Sequence, residues 1–251
     1  MNKSPDNQEN NQVIIGRNPV LEAFKSKQEI DTIYIAKGER QGVINKIIAL
    51  ARSNNVVVKE VNTQKLDSLS CGASHQGVAA LLCCQAYATV EDILQTAEQR
   101  GESPFLIIAD EIEDPHNLGA ILRSAECFGA HGVVISKHRS AVVNGTVIKT
   151  SAGAAEHIMV AKVTNINDTI RELKESGVWV YATDFDGDAP SNVDLSGNIA
   201  IVIGSEGEGI KRLTKELCDG TLTIPQFGKV NSLNASVAAG VTLYECTRQR
   251  H

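Results

Sequence analysis

The chain has 251 residues, 42% of them hydrophobic and 22% charged, which is typical of a soluble globular protein with one large domain or two small ones. No apolar run approaches the roughly 20 residues that span a bilayer, and the polar N-terminus lacks the apolar stretch of a signal peptide, so we expect no membrane association. The net charge of −6 argues mildly against a general nucleic-acid coat.

The first part of the chain predicts a small α/β domain over residues 13–88, preceded by a disordered tail over residues 1–12. Apolar spacing predicts two helices, at 18–26, with Asn18 as the cap, and at 44–55. Short β-branched runs predict strands at 32–36, 56–61 and 78–83. Residues 1–88 carry 10 Lys and Arg against 8 Asp and Glu, whereas residues 89–251 carry 14 against 22. The weakly positive first part suits a substrate-docking role.

Residues 89–103 are mixed and polar, which predicts a linker with at most one helical turn around 90–99. From residue 104 onward, β-branched strands alternate with helical stretches, as in a parallel sheet covered on both faces. The predicted strands are 105–110, 132–136, 179–183, 199–204 and 221–225. Because ligands of such sheets bind at the carboxyl ends of the strands, we expect a site where polar residues follow these runs.

The six cysteines form no CxxC pair and no His/Cys cluster with zinc-like spacing, so we expect no metal site. Several lie in apolar runs, where cysteine packs as a small hydrophobe. We therefore predict reduced thiols that pack in the core, and hence a cytoplasmic protein. The cysteines are Cys71, Cys83, Cys84, Cys127, Cys218 and Cys246.

Three polar segments follow predicted strands, and the first is DPHNLGAILRSA, residues 114–125. Asp114, Pro115 and Asn117 are residue types that begin helices, so helix formation alone explains them. Arg123 in the second turn of an apolar helix is less well explained, although a solvated side chain is the common outcome there. Gly129 suits the position that follows the end of a helix.

The second segment is IVIGSEGEGI, residues 201–210. Glycines at 204, 207 and 209 let the backbone approach a ligand or take a positive φ. Their spacing matches neither the dinucleotide motif nor the phosphate-binding P-loop, so a plain tight turn is a fair alternative. Glu206 favours a site, because it is a carboxylate fixed between glycines at the end of a strand.

The third segment is TIPQFGKVNSLNASVAAG, residues 223–240. Ile224 and Pro225 are predicted to end a strand, and residues 232–245 predict a helix rich in small residues, which permit close packing. Asn234 is the residue that helix formation explains least, because asparagine competes for backbone hydrogen bonds.

In this order within one chain, the three segments resemble the motifs of the SpoU/TrmH family of the SPOUT superfamily, knotted RNA 2′-O-ribose methyltransferases that use S-adenosylmethionine. The resemblance is strongest to the bacterial 23S rRNA guanosine-2′-O-methyltransferase branch. It implies an α/β fold in which a C-terminal trefoil-knotted domain with a parallel sheet, residues 104–251, follows a small ribosomal-protein-like RNA substrate-binding domain. Residues 74–81, SHQGVAAL, resemble that first domain most. Strand and helix patterning alone predicts a doubly wound fold and no knot.

The resemblance also implies the roles of individual residues. Catalytic roles fall on Asn117, Arg123, Glu206 and Asn234. Contacts to S-adenosylmethionine fall on Thr183, Gly204, Gly209, Ile224 and Leu233. The family works as homodimers, in which the arginine that matches Arg123 is proposed to act across the interface. Because a guanidinium is a poor proton acceptor, we prefer Arg123 as a fork that grips the target nucleotide's phosphate and polarises the 2′-hydroxyl.

The resemblance thus implies methyl transfer to a ribose 2′-hydroxyl of structured RNA, most readily a guanosine of 23S rRNA, by a homodimer that needs no metal. A tRNA substrate is the first alternative, and methylation of rRNA fragments but not of tRNA would exclude it. A non-catalytic RNA-binding dimer is the second, and failure to bind S-adenosylmethionine would favour it. A nucleotide-dependent oxidoreductase is disfavoured, since no GxGxxG follows a predicted strand.

Overall fold

The computed structural model describes residues 13–26, 28, 30–38, 42–54, 56–82, 86–207, 209–229 and 232–251, so the tail predicted over residues 1–12 lies outside the described residues. The chain divides into two compact units, one ending at Ala86 and the other running from Tyr87 to His251. Each unit is built around its own β-sheet.

The first unit is a four-stranded mixed sheet with helices on both faces. Its elements are β1 Val13–Ile15, α1 Arg17–Lys25, β2 Ile30–Ala36, α2 Val43–Ser53, β3 Val57–Val61, α3 Thr63–Ser70 and β4 Val78–Leu82. The strands lie in the order β1–β4–β2–β3, in which only β2 and β3 are parallel. Helices α1 and α2 bury Val20, Ile44 and Ile47 in one core cluster, and α3 buries Leu66 in another.

Two features of the first unit differ from the sequence-based expectation. Helix α1 is capped by Gly16, with φ of 96°, and not by Asn18, because the chain turns into the helix directly after the short strand β1. Strand β1 and helix α3 were not predicted. Asn62 begins α3 by accepting a hydrogen bond from the backbone N–H of Lys65, a short-range cap that apolar periodicity does not reveal.

The second unit is a six-stranded sheet in which every pair of neighbouring strands is parallel. Its elements are α4 Val90–Arg100, β5 Phe105–Ala109, α5 Pro115–Cys127, β6 Gly132–Ser136, α6 Gly145–Thr150, β7 Met159–Val163, α7 Ile166–Glu175, β8 Trp179–Asp188, β9 Ile199–Ile203, α8 Arg212–Leu217, β10 Gly220–Leu222 and α9 Ala235–Arg250. The strands lie in the order β10–β8–β9–β5–β6–β7.

Both faces of this sheet are covered, as predicted from the continuous apolar strands. Ile107 on β5 faces the cluster formed with α5 and α9, whereas the next residue, Ile108, faces the cluster formed with α4 and α7. The alternation of buried side chains along each strand requires helices on both sides of the sheet. Among the described residues, no helix has the length and apolar character needed to cross a bilayer.

The segment predicted as a linker, residues 89–103, is instead largely helix α4 of the second unit. Thr89 and Asp92 form a reciprocal capping box at its start, and Gly101 ends it in the left-handed conformation. Ile93 is fully buried and packs so closely on β6 that a Cβ at Gly132 would lie 2.4 Å from its Cδ1 atom. The composition of this segment is mostly polar because only a narrow face of the helix is buried.

Strand boundaries near the C-terminus also differ from the prediction. Strand β10 ends at Leu222, so Ile224 and Pro225 follow it in an irregular segment, and its pairing with β8 shifts register between Thr221 and Leu222. Strand β8 continues to Asp188, five residues beyond the predicted end at Thr183. Strand β7 was missed.

The four described cysteines are free thiols. Cys246 is buried and Cys218 half-buried, and burial raises the pKa of each thiol to about 12. Cys71 and Cys127 are exposed, so the prediction of core packing is wrong for these two. Cys83 and Cys84 lie outside the described residues.

Candidate functional site

Sheet order brings the three polar segments together. Strands β8, β9 and β5 are neighbours and parallel, so their carboxyl ends lie at one edge of the sheet. Helix α5 follows β5, with Asp114 as its cap and Asn117 in its first turn. Glu206 lies in the turn that follows β9, and Asn234 begins α9. The edge predicted to bind a ligand therefore carries one residue from each segment.

Asn117, Glu206 and Asn234 form a closed hydrogen-bonded triangle, which we call the site triad. Asn117 Nδ2 donates to Glu206 Oε1 at 3.0 Å, and Asn234 Nδ2 donates to Asn117 Oδ1 at 3.0 Å. Asn234 Nδ2 also donates to Glu206 Oε1. Since Asn117 is only 8% exposed, these bonds are partly shielded from water and hold the carboxylate in one orientation.

Asn234 has a second task, because its side chain caps helix α9. Its Oδ1 atom accepts hydrogen bonds from the backbone N–H groups of Ser236 at 3.0 Å and Val237 at 3.3 Å. The amide oxygen of Asn234 thus caps the helix, while its amide nitrogen donates to the other two members of the triad. The sequence prediction placed Asn234 inside the helix, and its position as the cap explains how a weak helix former is accommodated.

The turn after β9 depends on glycine at two positions. A Cβ at Gly204 would lie 2.5 Å from the carbonyl carbon of Gly209 and 2.6 Å from the nitrogen of Ile210, contacts that backbone atoms cannot relieve. Gly209 has φ of +66°, and its N–H donates to Ser205 O at 3.1 Å. The tightly folded turn thus orients Glu206 toward Asn117 and Asn234.

A cavity of about 390 Å³ lies on one side of this turn. Its lining includes all five residues that the family resemblance assigned to the cofactor: Thr183, Gly204, Gly209, Ile224 and Leu233. Thr183 is fixed by a 2.9 Å hydrogen bond from its Oγ1 atom to Val202 O. The volume and the mixture of apolar side chains with glycine backbone are those of a small-molecule site, and they fit a cofactor with an apolar ring and polar ends.

Sequence reasoning missed the residues that brace one wall of this cavity. Lys215 Nζ donates to Asp184 Oδ2 at 2.7 Å and also to Asp186, and these hydrogen bonds raise the pKa of Lys215. Thr223 Oγ1 donates to Asp184 O at 2.9 Å, which ties the segment after β10 to the end of β8. The alternating aspartates after residue 183 are the only trace of this bracing in the sequence.

A second cavity, of about 540 Å³, is lined in part by the same turn, and we call it the outer cavity. Ser205, Glu206 and Gly207 line both cavities, and Asn117 lines the outer one. The other described residues that line the outer cavity are Glu111, Ile112, Glu113, Asp114 and Arg139. Glu206 of the site triad therefore lines two spaces, each large enough for a small molecule.

Arg123 is placed apart from the other three predicted catalytic residues. Its side chain is exposed on α5 and lines neither cavity, and it makes no hydrogen bond or ion pair with any residue in the described part of the chain. A single chain thus assembles the triad without Arg123. Within the described ranges, no group of three or more His, Cys, Asp or Glu side chains is arranged to hold a metal ion.

Comparison with known families identifies the chain. Residues 104–244 match the model of the SpoU rRNA methylase family. The chain belongs to this family. Residues 13–83 of this SpoU methylase match a second model, the substrate-binding domain of RNA 2′-O ribose methyltransferases.

Curated relatives of this SpoU methylase carry methyltransferase names. A Bacillus subtilis protein named as a TrmH family tRNA/rRNA methyltransferase is 45% identical over 239 residues, which is 95% of this chain and 96% of that protein. A protein of the same family name from Staphylococcus haemolyticus is 45% identical over 241 residues, again 95% and 96% of the two chains.

Solved structures share the fold. The SpoU methyltransferase AviRb of Streptomyces viridochromogenes, in complex with S-adenosylmethionine, has a TM-score of 0.59 at 24% identity and covers 95% of this chain and 90% of its own. An rRNA methyltransferase of Sinorhizobium meliloti, also bound to S-adenosylmethionine, has a TM-score of 0.60 at 24% identity, with 94% and 87% covered. At this identity the likeness concerns the fold. The predicted family and its α/β fold are confirmed, and the chain is an RNA 2′-O-ribose methyltransferase of the SpoU/TrmH family.

Proposed function

We propose that this SpoU methylase transfers a methyl group from S-adenosylmethionine to the ribose 2′-hydroxyl of a guanosine in 23S rRNA. The observation that carries the proposal is that Glu206 of the site triad lines both cavities, since transfer requires a donor and an acceptor to meet at one point. The proposal assigns the donor to the 390 Å³ cavity and the acceptor nucleoside to the outer cavity. A nucleoside must leave its stack to reach such a cavity, which favours an exposed position of structured RNA.

Each proposed role follows from the contacts of the residue. S-adenosylmethionine, when bound, would supply an electrophilic methyl group and leave as the neutral thioether, with the 2′-hydroxyl proton passing to a neighbouring group or to water, so the protein needs only to align and polarise the acceptor. Glu206 has its Oε1 atom engaged by Asn117 and Asn234, while Oε2 accepts no hydrogen bond from another described residue. We assign to Oε2 the hydrogen bond that orients the 2′-hydroxyl, and to Asn117 and Asn234 the task of holding the carboxylate for it.

We further propose that the enzyme is a homodimer, as the family resemblance implied. Val237, Val241 and Tyr244 form an apolar stripe along one side of α9 and are 50%, 44% and 58% exposed. Helix α5, which carries Arg123, packs beside α9: the rings of Phe128 and Tyr244 meet edge to face, with centroids 6.1 Å apart. A second copy covering the stripe would bury it and bring its own Arg123 near this chain's site.

The trefoil knot is part of the same proposal. Ile224 and Leu233, from the segment between β10 and α9, line the 390 Å³ cavity. Asn234, at the end of that segment, donates hydrogen bonds to Asn117 and Glu206. A C-terminal segment that threads a loop at this point would fix these residues without a covalent link. The RNA substrate and the free thiols also favour a cytoplasmic location.

Radiolabelled methyl transfer to fractionated RNA tests the substrate. Total RNA from a strain that lacks this protein is separated into 23S rRNA and tRNA and incubated with the full-length enzyme and tritiated S-adenosylmethionine. We expect label in 23S rRNA, mapping to one guanosine. Label in tRNA alone would make the tRNA alternative correct, and saturable donor binding without transfer to any RNA would favour the non-catalytic dimer.

A further inference from the structure

A short basic segment follows strand β6, and none of the roles proposed above is assigned to it. Lys137, His138 and Arg139 lie at the carboxyl edge of the sheet, where the site triad also lies. Residues 89–251 carry 14 Lys and Arg against 22 Asp and Glu, so cations side by side here are not the consequence of a generally basic surface. We call residues 137–139 the basic segment.

Arg139 connects the basic segment to the outer cavity. It is the one cation among the described residues that line this cavity. Its contact with Glu111 Oε1 is long, at 3.4 Å, and the same oxygen also accepts a hydrogen bond from Lys211. The Arg139 side chain is 65% exposed, and an exposed ion pair of this length restrains it little. Its guanidinium can therefore turn to another anion.

Lys137 carries a charge that no described carboxylate neutralises. Its backbone N–H donates to Val163 O at 2.7 Å, which fixes the segment against the end of β7, and its side chain is half-buried. Burial lowers the pKa of Lys137, and the charge of nearby Lys162 lowers it further. Because the Lys137 ammonium group lies in a partly shielded place, an anionic ligand beside it would stabilise its charged form.

The charges inside the outer cavity have the opposite sign. Glu111, Glu113 and Asp114 line it together with Glu206, so its interior repels a phosphate but accepts an uncharged nucleoside. Glu113 has no hydrogen-bonding or ionic partner within the described ranges, which leaves its charge available for this repulsion. Among the described residues that line this cavity, Arg139 is thus the one that favours a phosphate group.

We propose that Lys137 and Arg139 bind the phosphodiester groups that flank the target nucleoside, so that the RNA backbone runs along the basic segment while the nucleoside occupies the outer cavity. The ligand class is an RNA phosphodiester, and in this respect the inference rests on the proposed function. Contacts of this kind position a nucleic acid without reading its sequence. They also make affinity depend on salt, because each neutralised phosphate releases bound counterions.

Salt-dependent RNA binding tests the inference. The dissociation constant of deproteinised 23S rRNA is measured by filter binding from 50 to 200 mM salt, with the full-length wild-type protein and with Lys137→Gln, Arg139→Gln and the double variant. We expect the slope of log affinity against log salt to fall by about 1 for each single variant and by about 2 for the double variant. Lys137→Arg keeps the positive charge and should show the wild-type slope. The affinity for S-adenosylmethionine should stay at the wild-type value in every variant.

Arg171→Gln is the matched control, because it removes one positive charge from α7, where Arg171 pairs with Asp168 at 2.6 Å. Wild-type slopes in Lys137→Gln and Arg139→Gln, or an equal fall in Arg171→Gln, would overturn the inference. Stabilisation of the wild type by inorganic phosphate, beyond chloride of equal ionic strength, together with unchanged RNA slopes, would assign the segment to free phosphate instead. Because binding is read without turnover, loss of the expected methyl transfer would refute the proposed function separately.

Discussion

At the scale of single residues, Gly204 is the position that steric contact constrains most within the site. A Cβ there would meet the backbone of Gly209 and Ile210 at 2.5 to 2.7 Å, so Gly204→Ala must displace the turn that carries Glu206. We expect a loss of about 1–3 kcal/mol in the free energy of unfolding and a clear loss of affinity for S-adenosylmethionine. Thermal denaturation and calorimetry measure the two effects.

Gly197→Ala is the control for that substitution, because a Cβ at Gly197 meets nothing within 4 Å and its φ is not positive. It should change stability by no more than about 0.5 kcal/mol. Wild-type donor affinity in Gly204→Ala would show that the tight turn does not shape the donor cavity.

The two tasks of Asn234 can be separated by substitution. Asn234→Ala removes both the helix cap and the triad contacts and should cost about 1 kcal/mol of stability. Asn234→Ser retains a capping oxygen but has no amide nitrogen for Asn117 and Glu206, so it should unfold close to the wild-type temperature and still lose most methyl transfer. Full activity in Asn234→Ser would exclude the triad from the reaction.

Sequence motifs named residues that the structure places together, but they gave no indication of contacts between distant residues outside the motifs. Asn117, Glu206 and Asn234 come from three separate segments, and the structure brings all three within hydrogen-bonding distance. Lys215 and Asp184 brace the same site across 31 residues, and no periodicity or spacing indicates such a contact in advance. Arg123 was predicted from the same motif as Asn117, but a single chain leaves it outside the site.

At the scale of elements, the exposed stripe on α9 makes the dimer testable. Val241→Glu places a charge in the middle of the stripe, where burial against a second copy would be costly, so the variant should run as a single chain in size-exclusion chromatography with light scattering. It should also lose methyl transfer, because Arg123 would no longer reach a partner. Arg123→Ala should instead stay dimeric, bind S-adenosylmethionine normally and lose turnover.

Leu213→Glu is the matched control, since Leu213 is 51% exposed on α8, outside the stripe. It should leave the mass of the assembly unchanged. A wild-type assembly in Val241→Glu would show that the stripe is not the contact between copies, and full activity in Arg123→Ala would remove Arg123 from the mechanism.

Element boundaries show what sequence patterns can resolve. Strands buried on both faces were predicted within a residue or so at β5, β6 and β9, because a continuous apolar run has a clear beginning and end. The sequence of helix α4 predicted a linker because the buried face of the helix is narrow. Ile93 contacts Gly132 of β6 only in the folded sheet, so local sequence does not indicate that it is buried. Strand β10 is shorter than predicted because its register with β8 breaks after Thr221.

At the scale of the whole molecule, the parallel sheet was predictable and the path of the chain through it was not. Continuous apolar strands require cover on both faces, and the six-stranded sheet has it. The order β10–β8–β9–β5–β6–β7 follows from long-range pairing that local patterns do not encode. Strand and helix patterns do not predict that the C-terminal segment threads a loop, and only the family resemblance implies it.

The chemical position of the transferred methyl group tests the central claim most directly. A 2′-O-methyl group blocks the 2′-oxygen that attacks the neighbouring phosphodiester in alkali, so the labelled RNA should yield its tritium in an alkali-resistant dinucleotide. Glu206→Ala, which removes the shared acceptor of the triad, should transfer little or no label at the same RNA and donor concentrations. Label recovered in alkali-released mononucleotides would mean methylation of a base, and wild-type transfer by Glu206→Ala would mean that the reaction does not occur at the triad.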